Sequence, residues 1–387
     1  MLKKVFFSSL IVLSSLYANQ DDFLKYKQSF KNYQQQKTQN FTSYKNAQEE
    51  AYAEYKKELS KYWETPSLTS KKKLVTYTED KKTRTTFDFK NQKLTLEVIA
   101  NSKKEAQKKF ESALEKAITI DTKTYYETDP LEKKLASLEK RHTNNASNIS
   151  SKPIISTAIF QKKPSKKDVD SYVNQHIKKE LIGVEKNKKV KDKNTYTLNI
   201  SLPNNTTMKL SKLYYEDVKK HSQVQRIPVS LIYAIMHTES SFNPMARSHI
   251  PAYGLMQIVP KTAGIDAYYY LYKRKKLVSG SYLYNSSNNI RMGSAYLHIL
   301  YYRYLREIKN PLSRLYCTIA AYNTGAGNIA WAYTKTYNMK KAAPRINTME
   351  PQEVYDYLLQ NLRFEEPKRY LVKVTKRMKS YRMIYGG

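Results

Sequence analysis

Apolar and polar positions alternate in the part of the chain between residues 74 and 99. Residues 83–89 and 94–99 have the period of two that is typical of half-buried strands, and residues 74–78 have a similar composition. Residues 90–93 (Lys-Asn-Gln-Lys) fit a hairpin turn between the second and third strands. This pattern predicts a small antiparallel sheet.

The pattern then changes to helical spacing. Residues 103–118 place five apolar side chains on one helical face: Ala106, Phe110, Ala113, Leu114 and Ile118. A second helix is predicted to start at a Ser165 cap, and residues 196–202 alternate once more as a strand. Residues 65–205 are therefore predicted to form a small α+β domain, with a linker around residues 143–152. No motif with evident chemistry occurs in it.

From residue 211 to the end of the chain the pattern is helical, and glycines are concentrated there. Eight of the nine glycines occur at or after Gly254, which indicates tight turns in this part. Six helices are predicted, over residues 211–222, 228–241, 288–306, 313–322, 351–363 and 368–380. The overall expectation is a mainly α fold with an α+β part, whose C-terminal domain spans residues 211–387.

The N-terminal 64 residues divide into two predicted segments. Lys3 and Lys4 precede the apolar run Val5–Leu16, and Ala18 is a small residue suited to cleavage, so residues 1–18 are typical of a secretory signal peptide. Residues 19–64 are dense in Lys, Gln, Tyr and Glu and predict a helical arm, with partial disorder as the alternative. We therefore expect export to the periplasm.

The charge balance indicates polyanionic partners. The chain has 68 Lys and Arg against 34 Asp and Glu, a net charge of +34. Export disfavours nucleic acid and favours a wall or membrane surface. Cys317 is the only cysteine and lies in an apolar run, where a buried structural thiol is expected, so the chain has no intramolecular disulfide.

The strongest candidate for chemistry is Glu239. Ile232 and Met236 precede it by seven and three residues in a predicted helix that begins after Pro228, so a carboxyl ends an apolar stripe. Burial there would raise the pKa of the carboxyl, and the protonated group could deliver a proton to a leaving oxygen. From spacing alone, a structural ion pair between Glu239 and an arginine such as Arg247 is the favoured interpretation.

Further motifs follow Glu239 in a characteristic order. They are Glu239–Pro244, Gly254–Ile258, Asn289–Leu297, Ala321–Asn328 and Arg369–Val374. Taken together over residues 211–387, they resemble the lytic transglycosylase family with the goose-type lysozyme-like catalytic domain. In one branch of that family an α+β domain like the one predicted at residues 65–205 precedes the catalytic domain. The resemblance implies cleavage of peptidoglycan glycan strands.

The resemblance also implies residue roles. Glu239 would protonate the glycosidic oxygen between N-acetylmuramic acid and N-acetylglucosamine, then act as base while the muramic C6 hydroxyl closes onto C1 to give a 1,6-anhydro product. Ser248 would polarise the acetamido group of the substrate or the cleft near it, and Tyr370 would hydrogen-bond to Glu239. Gln257, Tyr322 and Asn323 would line the saccharide groove. Each of these five residues has a structural alternative, as a turn former, a brace of loop backbone or a packed ring.

The single carboxyl fits this mechanism, because ordinary glycosidases need a second one. Of the other acids, Asp266 is the nearest in sequence, while Glu350 and Glu353 belong to another predicted helix. We expect no cofactor and no metal, since the six histidines, His237 and His249 included, form no ligand-spaced cluster.

The sequence thus predicts a peptidoglycan lytic exotransglycosylase, with endo action left open. The branch with the α+β domain carries a lipid-modified cysteine after the signal peptide. This chain has no cysteine there, so we expect a monomer in the periplasm, with peripheral membrane or wall association left open. The alternatives are a muramidase that uses water, and a non-catalytic cationic wall-binding protein. A nucleic-acid-binding protein would rest on charge alone.

Overall fold

The computed structural model describes residues 43, 45–143, 149–179, 183–248 and 251–386. The predicted signal peptide, most of the predicted arm and half of the predicted linker at 143–152 lie outside the described residues. The chain divides into two units, Met1–Ala51 and Tyr52–Gly387. In the first unit residues 45–51 are helical, and in the second a helix, α1, includes residues 52–59.

The second unit contains a five-stranded antiparallel sheet. Its strands are β1 (Lys73–Tyr77), β2 (Thr83–Asp88), β3 (Lys93–Ala100), β4 (Gly183–Lys186) and β5 (Asn194–Ser201), in the order β1-β2-β3-β5-β4. The predicted hairpin joins β2 to β3, where Gln92 takes a positive φ of 52°. Strand β4 escaped the sequence analysis because all four of its residues are exposed and show no alternation.

The inner face of the sheet is covered by helices. Leu94, Leu96 and Val98 of β3 pair with Ile200, Leu198 and Tyr196 of β5, and all six are buried. Helix α2 (Lys103–Thr119) lies against β3 with the five predicted apolar residues buried. The remaining helices here are α3 (Thr122–Thr128), α4 (Pro130–Thr143), α5 (Ser156–Ile159) and α6 (Lys166–Lys179), and α6 begins after Ser165 as predicted.

The rest of the chain is helical, as predicted. The elements are α7 (Thr206–Lys212), α8 (Tyr215–Gln225), α9 (Val229–Glu239), α10 (Ile265–Tyr272), α11 (Gly280–Tyr284), α12 (Ser286–Ile299), α13 (Pro311–Thr324), α14 (Ala326–Thr334), α15 (Met339–Ile346), α16 (Pro351–Asn361) and α17 (Glu365–Tyr385). Pro260–Gly264 and Leu300–Tyr304 form single π-helical turns.

The single helix predicted over 211–222 is wrong. The chain breaks between α7 and α8, where Leu213 and Tyr214 form a turn and the Tyr214 ring is buried. Packing of this ring overrides the local helical pattern. Cys317 is buried and unpaired, in agreement with the predicted structural thiol.

Helix α9 occupies the centre of the helical part. Leu231, Ile232, Ala234, Ile235 and Met236 are almost completely buried, and α17 packs along the helix. A helix that is apolar on all sides is stable only when other elements surround it. Its last residue, Glu239, is thereby carried into the interior. The prediction of a mainly helical fold with a small antiparallel sheet is confirmed.

Candidate active site

Glu239 lies at the C-terminal end of α9 and is only 7% exposed. The helix ends there because the chain reverses immediately. Ser241 and Phe242 both take positive φ angles, 52° and 67°, which residues with side chains rarely adopt. The buried Phe242 ring and a hydrogen bond from its backbone N–H to Ser240 Oγ (3.1 Å) hold the reversal. Backbone strain is thus concentrated directly after the candidate acid.

Burial dominates the electrostatics of Glu239. Desolvation raises the pKa of the carboxyl above its ordinary value. Lys71, Tyr370 and Lys72 lower the pKa, in that order, and Glu366 raises it slightly. Lys71 Nζ lies 3.7 Å from Glu239 Oε2. The carboxyl is therefore held toward its protonated form while a cation stands beside it, the state that a general acid needs.

Two tyrosines predicted as site residues lie next to Glu239. Tyr322 and Tyr370 are packed close enough to the carboxylate that its charge contributes to raising the pKa of both hydroxyls, after burial. The Tyr370 hydroxyl faces the carboxyl and favours its anion. The Tyr370 hydroxyl and the Glu239 carboxyl do not form a hydrogen bond of regular geometry, since Tyr370 Oη has no hydrogen-bond partner among the described residues. Tyr322 Oη donates to Met256 O at 2.9 Å, which ties α13 to the loop before Gln257.

The loop between α9 and α10 is braced from inside. Asn289 donates to Tyr253 O and Leu283 O and accepts from Met256 N, each at 2.8 Å. Gly254 has a φ of +72°, and a Cβ atom there would lie 2.6 Å from Leu283 O, so only glycine fits. The Gln257 amide donates to Ala246 O and to Gly254 O, both at 3.1 Å. Gln257 thus holds the loop backbone in place, which agrees with the alternative interpretation of this residue as a brace of loop backbone.

Ser248 lies in the loop after α9, and Asn323 lies in the last turn of α13. Ser248 Oγ accepts from Ala252 N at 3.1 Å. Residues 249 and 250 lie outside the described residues. His249 is one of these two. Asn323 Nδ2 lies 3.5 Å from Glu366 Oε1 at the start of α17. Asn323 therefore links the C-terminal end of α13 to the helix that carries Tyr370.

Arg247 does not pair with Glu239. It is buried against Glu132 of α4 at 4.0 Å and stacks over the rings of Tyr52 and Tyr253. Tyr284 Oη also donates to Glu132, at 3.4 Å. Burial raises the pKa of Glu132 to about 7 and Arg247 opposes this. The structural interpretation of Glu239 as a partner of Arg247 is wrong, because α4 supplies the partner instead.

Two residues at the site were missed by the sequence analysis. Lys71 precedes β1 and belongs to a run of three lysines, which is more often a solvated surface than part of a site. The charge of Glu366, on α17, acts on Glu239, whereas Asp266 accepts from Tyr304 and Glu350 caps α16 together with Glu353. No sequence signal connects either residue to Glu239, since only the packing of distant segments brings them together.

Two other features are distinct from this site. His237 is half-buried beside Tyr381 (3.0 Å from Nδ1 to Oη), and desolvation lowers its pKa to about 3, so it is a neutral packing residue. A cavity of about 880 Å³ lies between the sheet and α2, lined by residues such as Phe87, Ala113 and Tyr125. None of the predicted site residues lines this cavity.

The fold and the site define a class: a helical domain with a buried acid at the end of its central helix. Comparison with known proteins then relates this domain to a family. Residues 216–344 match the family model described as Transglycosylase SLT domain, so this part of the chain is similar to that family. The resemblance inferred from the motifs is confirmed.

The relatives share about half of their length with this chain. The membrane-bound lytic murein transglycosylase C of Serratia proteamaculans is 44% identical over 187 residues, which are 48% of this chain and 51% of that protein. The protein of the same name from Klebsiella pneumoniae is 43% identical over 187 residues, with the same coverage. The crystal structure of the 70 kDa soluble lytic transglycosylase from Escherichia coli aligns with a TM-score of 0.34 at 24% identity, over 45% of this chain and 24% of that one.

Proposed function

We propose that the chain is a peptidoglycan lytic transglycosylase that uses Glu239 as its single general acid and base. The observation that carries the proposal is the buried Glu239 carboxyl at the end of α9, with its pKa raised by desolvation. The match of residues 216–344 to the SLT domain model and the names of the relatives support it. The substrate bond would be the β-1,4 link from N-acetylmuramic acid to N-acetylglucosamine.

In the first step protonated Glu239 donates its proton to the glycosidic oxygen. The bond between that oxygen and muramic C1 breaks, and the N-acetylglucosamine leaves with a hydroxyl group. Positive charge then develops at C1, close to the carboxylate that has just formed. A buried carboxyl suits this step because its raised pKa keeps the proton available near neutral pH.

In the second step the Glu239 carboxylate removes the proton from the C6 hydroxyl of the muramic residue. The C6 oxygen bonds to C1 and yields a 1,6-anhydro ring, and Glu239 returns to its protonated form. Proton and electron pairs balance without water or a second carboxylate. The mechanism therefore needs one enzyme carboxyl that can both lose and regain a proton.

The other predicted site residues would act around this carboxyl. Tyr370 and Tyr322 enclose it, and Ser248 and Asn323 stand at the two edges of the region where a saccharide would enter. Gln257 would act on the groove through the loop it braces. We retain all five as substrate-binding or groove-shaping residues in this proposal.

A muramidase is the second candidate, and Glu366 favours it. The charge of Glu366 raises the pKa of Glu239, so a second acid that could activate water lies within electrostatic range of the site. Glu366 is exposed at the start of α17 and pairs only loosely with Asn323, at 3.5 Å. A water-activating base would have to be held more firmly than this, and we therefore prefer the transglycosylase.

Product analysis distinguishes these functions. Purified sacculi digested with the wild-type protein should release 1,6-anhydromuropeptides, identified by mass spectrometry as products one water lighter than their hydrolysed counterparts. The Glu239→Gln variant should release none. Products with reducing ends would establish the muramidase, and undiminished clearing by Glu239→Gln would instead leave a non-catalytic wall-binding protein or a different acid.

Location and partners follow from the same proposal. We propose that the enzyme works in the cell envelope on peptidoglycan, as a monomer held on the wall by its net charge of +34. The part of the chain that the structure describes contains no helix long and apolar enough to cross a membrane. The boundaries 1–18, 19–64, 65–205 and 211–387 remain our proposal for the domain organisation. Fractionation of cells should recover the protein in the envelope.

A further inference from the structure

The segment that leads into β1 lies against the candidate acid. Residues 70–73 belong to the α+β part of the chain, yet Lys71 Nζ stands 3.7 Å from Glu239 Oε2. The Glu239 side chain is buried, whereas the Lys71 side chain is 39% exposed. One partner is therefore fixed in the interior, while the other reaches it from the surface.

Hydrogen bonds on both sides fix the backbone of this segment. Asn243, in the reversal after α9, donates its side-chain amide to Ser70 O at 3.3 Å and to Lys71 O at 3.5 Å. Within the sheet, Phe89 N donates to Lys72 O at 2.9 Å. The same reversal that ends α9 thus holds the segment, so the position of Lys71 is coupled to the position of Glu239.

The three consecutive lysines have different surroundings. Lys71 contacts Glu239, and Lys73 points to Asp88, with 3.6 Å between Nζ and Oδ2. Lys72 lies between them and is half-buried. Burial and the nearby cations Arg377 and Lys373 lower the pKa of Lys72 to about 8. Lys71 is therefore the lysine of this run that forms an ion pair with the acid, and Lys73 is a natural control.

Among the described residues, the charged and titratable groups with the largest influence on Glu239 come from three elements. The β1 segment supplies Lys71 and Lys72, α17 supplies Glu366 and Tyr370, and α13 supplies Tyr322. The two lysines favour the anion, and the Tyr370 hydroxyl does so as well. Glu366 disfavours it. Lys71 is the largest opposing influence to burial.

We propose that Lys71 is a positioning residue of the acid/base site: its ammonium group holds the Glu239 carboxylate after proton transfer, and the α+β part of the chain thereby completes the site. This inference rests on the proposed function. A buried carboxyl without a cation would hold its proton too tightly to give it up at each turnover. A cation on a fully buried side chain would block access to the carboxyl. A half-exposed lysine supplies the charge and leaves a path for the substrate.

The test compares Lys71→Met with Lys71→Arg and with the matched control Lys73→Met. The readout is the alkaline limb of the pH profile of kcat/KM on purified sacculi, which reports the acid of the free enzyme. Loss of the cation destabilises the carboxylate and raises the pKa of Glu239. We expect Lys71→Met to move the limb to higher pH by about half a unit, the size expected of a partly exposed ion pair. Lys71→Arg and Lys73→Met should leave the limb in place.

A second readout does not depend on activity. The Glu239 carboxyl carbon can be titrated by NMR in uniformly ¹³C-glutamate-labelled protein, with its signal assigned by its loss in Glu239→Gln. The same upward shift of the pKa is expected in Lys71→Met, and it should shrink at high salt because the pair is half-exposed. Equal thermal unfolding of the variants would establish that the fold is intact, and Lys71→Gln serves if Lys71→Met does not fold.

Two outcomes separate this inference from the proposed function. If Lys71→Met changes neither the pKa of Glu239 in the NMR titration nor the alkaline limb of kcat/KM, and still releases anhydro products, Lys71 does not have this role. The proposed function would then still stand. An upward shift in the NMR titration without any glycan cleavage by the wild type would support the pairing and overturn the function. An equal shift in Lys73→Met would show that net charge, rather than the contact, is responsible, and would also overturn the proposal.

Discussion

Within the described part of the chain, the buried carboxyls of Glu132 and Glu239 each form an ion pair with a cation, and the surroundings of the two pairs differ. Glu132 and Arg247 are both almost completely enclosed, and two tyrosine rings flank the guanidinium. Glu239 is equally buried, but its cation, Lys71, is half-exposed. The enclosed Glu132–Arg247 pair joins α4 to the loop after α9. The half-open pair, Glu239 with the partly exposed Lys71, lies at the candidate site.

This difference distinguishes structural from chemical use of a buried charge. An enclosed pair cannot exchange partners without unfolding the surrounding elements, so it holds two segments in register. A half-open pair can release its cation to solvent when a substrate enters. Both carboxyls have a raised pKa, so the pKa alone would not have told them apart.

Replacing Glu239 should give the largest effect on activity and little effect on stability. Glu239→Gln removes the proton donor, and glycan cleavage should fall by on the order of 10²- to 10⁴-fold. Because the variant no longer buries a carboxyl, its midpoint of urea unfolding should be equal or higher. Zymography and chemical denaturation measure the two quantities. A large loss of stability would show that Glu239 is a structural residue after all.

Replacing Glu132 should give the opposite result. Glu132→Gln leaves the Arg247 guanidinium buried without an anionic partner, which typically costs about 3 kcal/mol of unfolding free energy. Urea denaturation measures the loss. At a temperature where the variant is folded, kcat should stay within a few-fold of the wild type. A neutral substitution would mean that Arg247 finds another partner or reaches solvent.

Replacing Glu366 should have a smaller effect, opposite in sign to that of Lys71→Met. Its negative charge raises the pKa of Glu239, so Glu366→Gln should move the alkaline limb of kcat/KM slightly to lower pH. Activity is lost as pH rises through this pKa, because the acid must be protonated. The products should still be anhydro sugars. Abolished activity would point to Glu366 as the water-activating base of a muramidase.

Replacing Tyr370 should give the smallest change. Tyr370→Phe removes a hydroxyl that favours the Glu239 carboxylate, and one hydrogen bond to a charged group is worth about 1.5 kcal/mol or more when well formed. Because the geometry here is imperfect, we expect only a few-fold loss of kcat and a slightly higher pKa of Glu239. Steady-state kinetics across pH checks both. A loss as large as that of Glu239→Gln would place Tyr370 in the chemistry itself.

Local pattern was sufficient for much of the fold. The alternation around Leu94 and Leu96 predicted the sheet, and the apolar spacing before Glu239 predicted α9. The break at Leu213 and Tyr214 was missed because burial of the Tyr214 ring outweighs helix propensity.

The candidate site was predictable only in part. The motifs indicated Glu239, Tyr322 and Tyr370, which are close together in the structure. The charged neighbours of Arg247 and Glu239 were not predictable. Glu132, which pairs with Arg247, and Lys71 and Glu366, which act on Glu239, lie on other elements. Ion pairs formed by tertiary packing have no fixed spacing along the chain, so a sequence read by itself contains no signal for them.

The contact between Lys71 and Glu239 also bears on the order in which the protein becomes active. The two residues lie far apart along the chain, and contacts of this kind form late, because a long loop must close first. The helices around Glu239 could assemble before the sheet docks, but such an intermediate would have an acid without its cation. The rise of glycan-cleaving activity during refolding should therefore lag behind helix formation, so that competence to cut the wall coincides with completion of the native structure.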